Sequence, residues 1–447
     1  MSNKTESILD WLNAQEISQV KIGITDIDGV LRTKYLAKEK VIHSLENGFG
    51  FCNVVFGWDL HDQLYPKVLD AGFADDRVRL IPTSRRNIPW ENAMPFLLGD
   101  FSGGALANRA CPRSVLSRVV AKAEAMGFTA QFGPEYEWFV YQESPQSAAK
   151  KDYHQLERIT PGMFGYSGLR SSQNHTYFND LFKQLGEFGV ALEGLHTETG
   201  PGVLEAALMY QPALEAADRA ILFKQGVKEI SYRHGFLASF MAKPTKELPG
   251  CGGHLHQSLW QNGHNVFYDG NAPDGMSPLF RHYLAGQLAL LPKLFPLFAP
   301  TVNSYKRYVA GSWAATHVSW GIDNRTVALR VISGEEKATR LETRVPGADA
   351  NPYLAIAAAL AAGLYGIEHA LPLNSTAVVG SAYESSLTQR LPSHLQAATL
   401  ALKNSEVVAG LLGKEFIDHF VRSREWEWQQ YQLAVTDWER ARYLELI

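Results

Sequence analysis

Cysteine is scarce in this chain: Cys52, Cys111 and Cys251 are the only three among 447 residues. Their odd number and wide spacing exclude a disulfide scaffold and fit a reducing compartment. Long apolar runs are missing too. The longest, Tyr353 to Gly366, falls short of the roughly 20 residues that a membrane-spanning helix needs. The opening MSNKTESILDWLNAQ is polar and amphipathic and lacks the apolar core of a secretory signal. Neither sign of charge dominates. A formal net charge of -4 gives no basis for a nucleic-acid or anionic-membrane partner. There is no internal repeat and no low-complexity tail. What is present is the composition of a soluble globular enzyme, 46% hydrophobic and 20% charged, expected in the cytoplasm and long enough for a large core and two domains.

Residues 5–15 read as a short helix. VKIGITD (20–26) and VLRTKYLA (30–37) read as two strands joined by a turn at Asp28-Gly29, a hairpin signal. More short strands are expected up to about residue 100, and SGGA at 102–105 reads as a linker. Cys111-Pro112-Arg113 opens a helix that ends before Gly127, with proline in its first turn. Residues 142–172, rich in Ser, Lys and Gly, read as a long loop. Helices are expected at about 174–187, 212–234 and 352–369, the last begun by Asn351-Pro352, with a strand at 190–195. The order is that of an α+β protein, a small mixed domain before a large one.

Short clusters of charged residues stand out against this background. Glu135 and Glu137 lie in GPEYEWFV, and Glu198 and Glu205 bracket ETGPGVLE. His254 and His256 lie in GGHLHQSL, and Arg340, Glu342 and Arg344 in RLETR. Spacing of i, i+2 on a strand puts the polar members on one face. A solvated strand face would explain any one cluster alone. Yet Trp138, Phe139 and Val140 follow the first directly, and carboxylates on a buried strand require a metal or a cation. The excess of glutamates over histidines favours hard divalent ions over zinc. Arg307, Arg325, Arg330, Arg340 and Arg344 fall within forty residues, and guanidinium forks suit carboxylate and phosphoryl oxygens. The combination predicts ATP-dependent chemistry on a carboxylate. TDIDGVL (25–31) offers another reading, a phosphatase-type DxDG with Asp26 as nucleophile. It leaves the other clusters without a role, and a hairpin turn explains it equally well.

Taken together, the clusters resemble those of glutamine synthetases in order, internal spacing and separation, over essentially the whole chain. The resemblance implies a small N-terminal β-grasp domain (1–104) and a large catalytic domain (105–447), whose antiparallel strands form a funnel-shaped active site. It also implies a homo-oligomer, a dodecamer of two hexameric rings with active sites between subunits. Glu137, Glu198 and Glu205 match ligands of one metal, and Glu135, His254 and Glu342 those of a second, either Mg2+ or Mn2+. Gly250, Arg307 and Arg344 match the glutamate site. Arg325, Arg330 and Arg340 match positions that handle nucleotide phosphates and the transferring phosphoryl group. Glu193, Tyr210, His256, Ser258 and Lys337 fall where family members contact ATP. Arg307, Arg325, Arg330 and Glu342 would take part in catalysis.

The departures narrow the expectation. After NSYKR, glutamine synthetases read a run ending in a glutamate that helps deprotonate ammonium. Here the run is YVAGSW, and Trp313 stands in the glutamate's place. The N-terminal segment that supplies an ammonium-binding aspartate reads VVFGWDLHD (54–62), in which Asp59 does not align unambiguously. Pro249 precedes Gly250 in place of Asn, and Val203 replaces Gln. The stretch 367–385 does not match the family's adenylylation loop. These replacements resemble the glutamine-synthetase-like ligases of amine metabolism, which join glutamate to an organic amine. The implied amine site would be lined by Trp313 and by Phe56, Trp58 and Asp59 of a neighbouring subunit, and its aromatic character favours an alkyl or aryl amine. An ammonia-using glutamine synthetase and a polyamine ligase are the alternatives.

Overall fold

A computed structural model describes residues 2–14, 16–66, 73–101, 109–385 and 389–447. The first strands, β1 (Gln19–Thr25) and β2 (Leu31–Ala37), form the expected antiparallel hairpin. Asp26 builds its turn. One carboxylate oxygen accepts from the Asp28 and Val30 amides and the other from Arg32 Nε at 2.8 Å. The carboxylate is buried within this turn, so the phosphatase reading of TDIDG fails. After the Lys38–Asn47 helix come β3 (Phe49–Cys52), β4 (Asp75–Leu80), β5 (Arg86–Ile88) and β6 (Met94–Asp100). The sheet order is β2-β1-β6-β4-β3, with β5 beside β6. The parallel β1–β6 pair beside a hairpin is the β-grasp arrangement. The SGGA linker and the 104/105 boundary lie outside the described residues.

The Pro112–Ala125 helix leads into β7 (Thr129–Tyr141), a 13-residue strand that organises the rest of the molecule. It is followed by β8 (Leu192–Thr197), β9 (Val203–Leu208), β10 (Gln211–Pro212), β11 (Leu237–Ser239), β12 (Leu255–Gln261), β13 (His264–Asn265), β14 (Trp320–Ile322), β15 (Leu329–Ile332) and β16 (Arg340–Thr343). Among the described residues these make one sheet ordered β14-β15-β16-β12-β7-β9-β8. All its pairings are antiparallel except β14–β15. One face packs on long helices, Ala213–Arg233, Pro278–Phe298 and the alanine-rich Pro352–Glu368. The charged clusters occupy the other face.

The expected loop at 142–172 is partly helical. Ser144 and Ser147 form a capping box for the Pro145–Lys150 helix, and Ser167 caps Gly168–Gln173. The serines that suggested a loop are thus helix caps. The two sheets share a core, since Ile88, Trp90, Phe96 and Leu98 pack with Trp138, Phe188 and Phe223. Asn351 adds a polar tie. Its Oδ1 caps the Pro352 helix at the Tyr353 amide, and its Nδ2 donates to the Asp26 and Ile27 carbonyls at 3.1 Å each.

Candidate active site

Register assembles the site. Glu137 on β7 stands opposite Glu205 on β9, and Glu205 stands opposite His196 on β8. On the other side of β7, His256 on β12 pairs with Glu342 on β16, and Glu342 pairs with Arg330 on β15. Because alternate residues share a face, this lattice places carboxylates, imidazoles and guanidinium groups on one concave surface.

Two acidic groups result. Glu135, His254 and Glu342 form the first, and His196, Glu198 and Glu205 the second. Within each, donor atoms lie within 4.8 Å of one another. His254 Nδ1 is 3.5 Å from both Glu135 Oε2 and Glu342 Oε1. Glu342 is fully buried and also meets Arg344 Nη1 and, at 3.0 Å, Arg330 Nη1. Burial opposes its ionisation, but Arg344 and the two histidines outweigh burial and lower its pKa. Glu135 behaves alike, held well below the usual carboxylate range by His254 and His256 despite burial. Arg340 Nε donates to His256 Nδ1 at 3.0 Å. That leaves the His256 proton on Nε2, 3.1 Å from Glu135 Oε1.

In the second group, burial resists ionisation of Glu198, yet His196 and the hydrogen bonds of Thr199 bring it down to about 2. Glu205 goes the other way. Burial, then the charges of Glu137, Glu135 and Glu198, push it up to about 9. Crowded buried carboxylates of this kind call for a cation. The donors are oxygens with one imidazole per group, a set that fits Mg2+ or Mn2+. Glu137, expected beside Glu198 and Glu205, faces Glu205 across the ladder, and its Oε2 accepts from the Gly252 amide at 2.7 Å. His196 was not anticipated as a donor. The signal was its i, i+2 spacing from Glu198 in HTE.

Two cavities meet at this surface, sharing Glu135, His196 and Glu205. One, of about 540 Å3, is lined by Glu193, Tyr210, His256, Ser258, Lys337 and Arg340, which brings together most of the positions expected to contact nucleotide; Arg325 and Arg330, expected there too, line the other. The other, of about 560 Å3, holds Gly250, Arg307, Arg325, Arg330, Arg344 and Trp313. Gly250 is required by close approach, since a Cβ there would clash with the Ala242 carbonyl and Arg307 Cγ. Trp313 is 58% exposed at the mouth, with φ +59°, a conformation that costs a bulky residue. A second aromatic, Tyr166, lines the same cavity and escaped the sequence reading. Its ring stacks on His196 at 4.4 Å, and its backbone N donates to Thr197 O at 2.7 Å.

The three N-terminal residues expected in an amine site fare differently. Phe56 is fully buried, edge-on to Phe101 at 5.0 Å, so its ring belongs to the N-terminal core and lines no site. Trp58 is half-buried beneath Arg32. Asp59 has both oxygens engaged, by the His61 and Gln63 amides and by Trp426 Nε1 at 2.9 Å. Neither Trp58 nor Asp59 lines the two cavities of its own chain.

Residues 109–443 match the family model described as glutamine synthetase, catalytic domain. The chain belongs to the glutamine synthetase family. It is a carbon–nitrogen ligase of that family. It is 48% identical to type-1 glutamine synthetase 2 of Dictyostelium discoideum, over 100% of this chain and 87% of that protein. It is 35% identical to glutamate–isopropylamine ligase of a Pseudomonas species, over 98% of both, and 34% identical to the γ-glutamylethanolamide synthetase GlnA4 of Streptomyces coelicolor, over 97% and 94%. Among solved structures, the GmaS/ADP complex in conformation 1 superposes with a TM-score of 0.86 at 30% identity, covering 98% of this chain and 99% of that one. No helix among the described residues is long and apolar enough to cross a membrane.

Proposed function

We propose that the protein joins the γ-carboxylate of L-glutamate to a small organic amine, alkyl or aryl, at the expense of ATP, through a γ-glutamyl phosphate. The observation that carries this reading is the mouth of the glutamate-side cavity, where Trp313 and Tyr166 present aromatic surface beside Glu198. An amine with an apolar body gains contact area there, which ammonium cannot.

In this reading ATP occupies the cavity of Glu193, Tyr210, Ser258, Lys337 and Arg340, and glutamate lies between Gly250, Arg307 and Arg344. Divalent ions held by the two acidic groups would offset charge on the phosphoryl oxygens during transfer. Arg325 and Arg330 line the glutamate-side cavity, and their guanidinium groups suit the same developing charge. Arg344, His254 and His256 keep Glu342 ionised against its burial, so it offers negative charge to its group. The amine nitrogen then attacks the acyl phosphate, losing a proton as phosphate leaves. The aromatic rim keeps water from hydrolysing that intermediate. Trp58 and Asp59 of a neighbouring subunit would complete the amine site in a cytoplasmic ring-shaped oligomer, a dodecamer of two hexamers.

The test is ADP release with glutamate, ATP and Mg2+ across ammonia, methylamine, isopropylamine, ethanolamine, putrescine and aniline. Strong turnover with one organic amine and little with ammonia is expected. Turnover mainly with ammonia would overturn the reading and favour the alternative, a glutamine synthetase, which the 48% identity to the Dictyostelium protein supports.

A further inference from the structure

The turn that carries Arg307 is held from behind by a single carboxylate. Thr301 Oγ1 and Ser304 Oγ both donate to Asp349 Oδ2, at 2.9 and 2.5 Å. The same two hydroxyls accept from each other's backbone, Thr301 N to Ser304 Oγ at 3.0 Å and Ser304 N to Thr301 Oγ1 at 3.1 Å. The result is a closed polar knot at the start of the Ser304–Arg307 turn, with Ser304 fully buried. Arg307, at the end of that turn, is 3% exposed, and its Nη2 donates to the Val345 and Pro346 carbonyls at 2.6 and 3.0 Å. Asp349 follows in the same 345–349 segment. Two routes therefore run from Asp349 to Arg307, one through the hydroxyls and one through the backbone.

The surroundings are shaped for this carboxylate. A Cβ on Gly347 would overlap its Oδ1, and that oxygen is buried without a hydrogen-bond partner. Lys224, half-buried with its Nζ on the Ala350 carbonyl, feels its charge. The turn also reaches the other wall of the cavity. Asn303 exchanges two hydrogen bonds with the Lys243 backbone, at 2.8 and 3.0 Å. Next to Lys243, the Ala242 carbonyl accepts from Cys251 N at 2.8 Å, which seats Gly250.

We propose that Asp349 is a positioning residue for amino-acid substrate binding: by holding Thr301 and Ser304 it sets the pose in which Arg307 meets a carboxylate of the substrate. Asp349 itself lines neither cavity. The proposal rests on the reading of Arg307 as a glutamate-site residue, and the experiment separates the two. Steady-state kinetics of Asp349→Ala, Asp349→Asn, Ser304→Ala and Arg307→Ala are compared, varying glutamate and ATP separately. Misplacing a binding group by a fraction of an ångström costs on the order of tenfold or more. Asp349→Ala should therefore raise KM for glutamate about tenfold and leave KM for ATP within about twofold. Asp349→Asn keeps an acceptor oxygen for both hydroxyls and should restore KM to within about threefold of the parent. Ser304→Ala, the milder change, should fall between them and covers the case in which Asp349→Ala does not fold. Equal rises in both KM values, or Asp349→Asn as damaging as Asp349→Ala, would overturn the proposal. An unchanged glutamate KM in Arg307→Ala would instead overturn the reading beneath it.

Discussion

Glu137 and Glu205 face each other across the β7–β9 ladder, and the charge of Glu137, together with burial, drives the Glu205 pKa up to about 9. The fold forces together two groups that repel unless a cation lies between or beside them. Glu205→Gln should therefore raise the melting temperature of the metal-free protein while abolishing most of the stabilisation that Mg2+ or Mn2+ gives the parent. Thermal unfolding with and without chelator checks both halves. A variant that still gains as much from metal as the parent would remove Glu205 from the ligand set.

In the proposed function Trp313 carries the preference for an organic amine. Trp313→Glu should lower kcat/KM for the native amine by about tenfold or more, as expected for loss of a large apolar contact, and should raise turnover with ammonia. Kinetics with both nucleophiles decide. Unchanged constants for both would show that the indole only packs at the rim.

Gly250→Ala tests the proposed glutamate wall. The added methyl clashes with the Ala242 carbonyl and Arg307 Cγ, and overpacking of this kind costs about 1–3 kcal/mol. The expected outcome is a lower melting temperature with a raised glutamate KM, the ATP KM being little changed. A variant with parental glutamate affinity would exclude Gly250 from the site.

Acid sensitivity should come partly from His419. Burial, then the charges of Arg422, Arg424 and Arg109, lower its pKa to about 4. The unfolded chain binds this proton near pH 6.5 and the folded protein only near pH 4. His419 thus costs nothing above pH 6.5, and stability falls as pH drops from 6.5 towards 4. The loss approaches about 3 kcal/mol once both states are protonated. His419→Gln should show a flatter decline over that window in melting experiments. Parallel pH profiles of parent and variant would refute the assignment.

Much of the site was legible along the chain because strand periodicity is local. The i, i+2 pairs Glu135/Glu137, His254/His256 and Arg340/Glu342 each announced a polar face before any partner strand was known. Departures at Trp313, Pro249 and Val203 were equally local. The capping serines at 144, 147 and 167 were misread, since Ser serves loops and helix starts alike.

What the sequence by itself determined was the inventory: which carboxylates, imidazoles and guanidinium groups exist, on which strands, and so the kind of chemistry. Only the tertiary structure decided which of them meet. Cross-strand register put His196 opposite Glu205 and Glu342 between His256 and Arg330, and contact order along the chain carries no trace of that pairing. Packing likewise sent Phe56 into the core against Phe101 and brought Asp349 behind Arg307 across forty-two residues of chain. Burial and hydrogen bonding between distant segments make those choices, and neither is a property of a single stretch of sequence.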